Sequence, residues 1–153
     1  MSTTELILKT IFCCMVCDGR IVPEEVAFIQ SYANKDKRFE GLDVSNILNT
    51  YISELNEGGQ VFMSNFLNEI DSAALDEEEQ LWLLKSAIET IESDATTDYS
   101  EVRFFKEVRN RLSVSDDAIL NILPGREDYL LPDIVRKDYS FSFNAAFDNI
   151  ILS

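Results

Sequence analysis

From Leu6 to Cys17 the chain is apolar at nearly every position, interrupted only by Lys9 and Thr10. A helix that is apolar on nearly all sides has no face to offer water, so it belongs in the middle of a core with other helices around it. The run falls well short of the roughly 18 uninterrupted apolar residues that a membrane span needs, and no other segment reaches that length. The 153 residues suit one compact domain, a size at which roughly 68–70% of the unfolded surface is buried. With 46% hydrophobic residues and only 5 Gly and 3 Pro, disordered and low-complexity classes are excluded.

The rest of the chain reads as further helices. Pro23, Glu24 and Glu25 suit a first turn, and Val26, Ile29 and Ala33 follow at helical spacing. Asp43 is positioned as a cap before the stripe Val44, Ile47, Leu48, Tyr51, Ile52 and Leu55. Gly58-Gly59 marks a turn, after which Phe62, Phe66, Leu67 and Ile70 mark a fourth helix. Asp76 and Glu79 have capping-box spacing ahead of Leu81, Leu84, Ala87, Ile88 and Ile91. Asp98 and Glu101 repeat that spacing ahead of Val102, Phe105, Val108 and Leu112, and Ser115 caps a short helix that Pro124-Gly125 stops. The expectation is an all-α fold, a single compact bundle of about seven helices over residues 1–125. Residues 126–153 form an aromatic C-terminal extension that must be buried, either packed on the same domain or offered to a second chain. Only Tyr139–Phe143 alternates with a period of two, and a short helix is expected around 144–151.

Charge and residue types narrow the function. Thirteen basic residues against 28 acidic ones leave a net charge of −15, a surface that repels phosphate backbones and anionic lipid. Nucleic acid is excluded as a partner, and so is direct membrane insertion. The chain has no histidine, which removes Ser-His-Asp and Cys-His chemistry and the commonest zinc ligand. Cys13, Cys14 and Cys17 lie within one run, an odd number that does not make a disulfide framework. They read as small buried hydrophobes in a cytoplasmic protein, rather than as a redox pair or half a zinc site. A hydrolase working with two carboxylates needs a cleft and split pKa values, and nothing in the sequence points to either.

Sliding the chain by 76 residues sets Ile7-Leu8-Lys9-Thr10 over Leu83-Leu84-Lys85-Ser86, Asp18 over Asp94, Glu25-Val26 over Glu101-Val102 and Phe28 over Phe104. Two helical hairpins of one plan follow, since neither can bury its apolar faces alone. In each, an Asp ends a buried helix and a Glu lies in the first turn of the next. If the hairpins pack side by side, Asp18, Glu25, Asp94 and Glu101 converge, and two carboxylates about 5 Å apart repel by about 3 kcal/mol at an effective dielectric near 20. A divalent cation, protonation or separation into solvent can each relieve that repulsion; the same acids also serve as helix caps and corner residues without any metal. Asp94 to Ser100 places oxygens at alternate positions, as an EF-hand loop does, but Tyr99 stands where that loop needs Gly and Phe105 where it needs a bidentate Glu. A nonstandard site using Asp94, Asp98 and Glu101 remains open. Between Glu54 and Glu101 there are 13 acids and a single base, Lys85, a surface that concentrates cations or steers a basic partner.

The corner Cys17-Asp18-Gly19-Arg20-Ile21-Val22-Pro23-Glu24-Glu25 resembles the signature of the TerB-like, tellurite-resistance type of family, with a degenerate second copy over 93–105 in which Ala95 replaces the Gly. The resemblance spans about residues 4–123. It implies a cytoplasmic bundle of about seven helices without catalysis, linked to stress response and to divalent-metal binding by clustered acids. The implied positions are Asp18, Glu25, Asp94 and Glu101; calcium, magnesium, manganese and zinc are not distinguished. The leading expectation is a module of this kind that also docks a protein partner. A purely structural interaction module, or a homodimer without any metal site, is the alternative reading.

Overall fold

The computed structural model describes residues 2–17, 23–93 and 99–131. Among these residues there are seven α-helices and no strand, as the apolar spacing predicts. Helix α1 spans Thr3–Val16, α2 Pro23–Lys35, α3 Val44–Glu57, α4 Gly59–Ser72, α5 Glu77–Ile91, α6 Tyr99–Asn110 and α7 Asp116–Ile122, with short 3-10 turns at Lys37–Phe39 and Glu127–Tyr129.

Local chemistry accounts for most boundaries. The Asp43 and Ser115 side chains accept from the Asn46 and Ala118 amides and so cap α3 and α7. Asp76 and Glu79 form a reciprocal capping box at α5, each side chain accepting the other's backbone N–H. Ser2, which no sequence signal singled out, caps α1 by accepting from the Glu5 amide. Gly58 is at once the last cap of α3 and the first of α4, so the Gly-Gly turn is one residue tighter than the doublet suggests. Leu112 lies beyond α6: the Arg111 and Leu112 amides reach back three residues, to Val108 and Arg109, and the helix tightens and ends. Gly125, at φ +81, makes the left-handed turn that stops the chain after α7.

Helix α1 is the centre of the molecule. Every residue from Leu6 to Val16 is buried, including Lys9 and Thr10. It packs most extensively along α5 and also touches α2, α4 and α6. The buried Thr10 and Thr90 hydroxyls donate to carbonyls one turn back, those of Leu6 and Ser86, so burial leaves neither unpaired. At the start of the two central helices the Thr3 hydroxyl donates to Glu79 at 2.7 Å. Phe12 holds the α3–α4 pair, its ring centroid 5.5 Å from Tyr51 and 5.8 Å from Phe62; Phe66 stacks on Phe104 at 5.8 Å. On the other side of α5, Trp82 meets Phe39 edge-on and lies under the Arg38 guanidinium at 3.7 Å, with Asp36 gripping the arginine at 2.8 Å. Buried Gln80 ties three segments together: its carbonyl accepts from the Ser113 and Val114 amides, and its amide donates to Leu75 O and Ser113 Oγ.

The first turn of the C-terminal extension is also defined. Tyr129 sets its ring against Phe105 of α6 at 5.3 Å. The expected alternation at Tyr139–Phe143 and the short helix around 144–151 lie outside the described residues.

Candidate functional site: the helix corners and the centre of α1

The corner acids divide into two groups. Asp18, Asp94 and Asp98 lie outside the described residues. Glu25 and Glu101 are described, and they occupy matching places, each the third residue of its helix, α2 or α6. A carboxylate there faces the unpaired amides and positive dipole end of the first turn. Both are half-buried, and both engage neighbouring groups.

Glu101 reaches across to the first hairpin. Burial pushes the Cys14 thiol well above its ordinary value, and the charges of Cys13 and then Glu101 add to that push. Because α6 packs against α1, the Glu101 charge is felt in the last turn of α1. Among the described residues no group of three or more His, Cys, Asp or Glu is arranged to hold a metal ion, and three of the five positions named from sequence fall outside that set.

The cysteines behave as the apolar run predicts. Cys13, Cys14 and Cys17 are buried free thiols. Desolvation raises Cys13 as well, against the opposing pull of Lys9. Cys17 donates its thiol hydrogen to the Cys14 carbonyl at 3.2 Å, so the C-x-x-C spacing serves a helix turn.

A second polar centre was not visible in sequence. Lys9, with only 5% of its side chain exposed, places Nζ 2.8 and 3.1 Å from the two carboxylate oxygens of Glu69 on α4. The same ammonium lies 4.8 Å from the Phe62 ring centroid and 5.6 Å from that of Tyr51. A charge inside an apolar run demands a counter-charge, which is the signal available from sequence; that it comes from Glu69, 60 positions away, depends on how α4 packs. Glu69 also opens onto a groove of about 320 Å³ between the start of α1 and the end of α4, lined by Thr3, Leu6, Ser72 and Leu75 among others. A second hollow of about 310 Å³ sits at the α3–α4 corner beside Glu54, Glu57 and the exposed Val61.

The surface around the start of α5 is strongly acidic, with Glu77, Glu78 and Glu79 in its first turn. At the end of α6 two arginines are drawn into ion pairs: Arg109, in its last turn, with Asp116 at 2.7 Å, and Arg111, just beyond it, with Glu107 at 3.0 Å and Asp71 at 3.4 Å. No helix among the described residues is long and apolar enough to cross a membrane. Set against protein-family models, curated proteins and solved structures, the chain matches none.

Proposed function

We propose that this chain is a non-catalytic, acidic, TerB-like module of the cytoplasm. In this reading it binds a divalent cation at its paired Asp/Glu corners and docks a protein partner in a tellurite-type stress response. The observation that carries the reading is the matched placement of Glu25 and Glu101, third residues of α2 and α6, behind two central helices that pack along one another.

Two further features support a pseudo-twofold plan. Five pairs of positions 76 apart are fully enclosed, Ile7 with Leu83, Leu8 with Leu84, Thr10 with Ser86, Ile11 with Ala87 and Ile29 with Phe105, while the pair Lys9 and Lys85 differs, buried in the first half and exposed in the second. Moreover, the Thr3–Glu79 hydrogen bond joins residues separated by that same interval; a residue and its own counterpart meet only near an axis relating the two halves. In this reading the 18–25 and 94–101 corners lie side by side, with Asp18, Glu25, Asp94, Glu101 and Asp98 as the oxygen donors. A hard cation is the species such donors select.

Calorimetric titration with calcium, magnesium, manganese and zinc tests this, on the natural chain and on a variant carrying Asp18→Asn and Asp94→Asn. Heat and a thermal shift in the first, absent from the second, are expected. No heat and no shift with any of the four ions leaves the alternative, a structural interaction module in which the corner acids only cap helices. The extension is assigned to the same domain on the strength of the Tyr129–Phe105 contact, and truncation after Gly125 tests it: lost stability at unchanged mass supports packing in cis, whereas a halved mass in light scattering marks it as a homodimer interface.

A further inference from the structure

We infer that the first residues of the C-terminal extension, Arg126 to Leu130, form a clip that holds the α5–α6 hairpin closed at its corner end. Arg126 grips Glu92 with two hydrogen bonds, Nη2 to Oε1 at 2.6 Å and Nε to Oε2 at 3.2 Å. Glu92 is the C-cap of α5, bonded through its own amide to Ile88 and Thr90. The Arg126 Nη1 donates to the Pro124 carbonyl at 2.8 Å, which folds the guanidinium back over the turn after α7. Three residues on, Tyr129 lies edge-to-face on Phe105, a fully buried residue of α6.

The two grips are mechanically joined. The Tyr129 amide donates to Arg126 O and the Leu130 amide to Glu127 O, closing one 3-10 turn between them. One grip therefore lands on the last cap of α5 and the other on the body of α6, and moving the two helices apart at this end breaks one of them. The end of α5 and the body of α6 are thus bridged by a piece of chain that comes from beyond α7. The paired side chains are each about one-third exposed, so the clip is held by solvent-accessible contacts and can release without unfolding the core.

Hydrogen exchange on the full chain tests the clip, comparing the natural protein with Arg126→Ala, Tyr129→Ala and the charge swap Glu92→Arg with Arg126→Glu. Amides between 93 and 101 are expected to exchange about two- to fivefold faster in Arg126→Ala, the range an exposed ion pair supports. Amides of α1 stay unchanged, and the swap restores protection. Unchanged exchange at the corner in both single variants, or an increase spread evenly into α1, overturns the clip.

Discussion

The Lys9 ammonium is the residue whose environment departs furthest from water, and its stability depends on a single partner. Removing the Glu69 charge leaves an unbalanced cation against two aromatic rings. Glu69→Gln is therefore expected to cost about 2 kcal/mol, less than a fully enclosed pair would because Glu69 keeps 32% of its side chain in solvent. Replacing both partners, Lys9→Met with Glu69→Leu, restores most of that loss, since apolar side chains of similar volume need no counter-charge. Denaturant melts of the single and double variants check this, and a double variant no better than the single one contradicts it. The buried thiols make a second prediction: with burial raising Cys13 and Cys14, a thiol reagent reacts with none of the three cysteines on the folded chain and with all three after unfolding. One rapidly labelled cysteine in native buffer excludes this arrangement. At this scale the sequence was legible wherever a residue answers to its neighbours in the chain. The burial of Cys13 and the caps at Asp43 and Ser115 followed from local pattern, whereas the partners of Lys9 and Gln80, 60 and 33 positions away, are set by how helices meet.

Among the helices, α5 is the best anchored at its start. The Asp76–Glu79 box and the Thr3 hydroxyl converge on one carboxylate, and these hydrogen bonds, that of Thr3 first, hold Glu79 below its usual range. A carboxylate depressed on folding stabilises the protein above its unfolded pKa, and that contribution is lost as pH falls through the folded value. Thr3→Val removes the leading hydrogen bond. Its stability deficit is expected at neutral pH and should vanish once Glu79 is protonated in both chains, as acid titrations followed by circular dichroism can establish. Asp76→Ala removes the side-chain acceptor of the box, which takes the Glu79 amide, and is expected to cost about 1 kcal/mol, roughly 3 °C in Tm for a domain of this size. Gln80→Leu should cost more, about 2 to 3 kcal/mol, because it strands the buried Val114 amide together with that of Ser113. Helix existence and most starts were readable from apolar spacing and caps. The end of α6 was not, because Leu112 keeps the apolar register after the backbone has tightened, and periodicity alone does not register a change from i−4 to i−3 bonding.

For the molecule as a whole, a fully enclosed α1 explains why a chain with 28 acids folds at all: the charge is kept at the periphery, and the surplus is highest at the start of α5. High salt is expected to raise the melting temperature by screening that repulsion, and a divalent chloride should exceed an ionic-strength-matched monovalent one if the corners bind an ion. Equal shifts with both salts speak against the ion site. The all-helical plan was legible in sequence because its signal lies in apolar positions. The corner aspartates lie outside the described residues, and sequence alone does not assign them, because acids at a chain reversal satisfy caps, solvent or a cation with the same residue types. The seam where Arg38 covers Trp82 has a practical consequence. The chain holds one tryptophan, carried by α5 and covered by Arg38 and Phe39 of the 3-10 turn after α2, so its ultraviolet emission is an undiluted optical signal from a single place. A red shift reports that this seam has opened to water, and any ligand, partner or truncation that disturbs α5 can be followed in real time without attaching a dye.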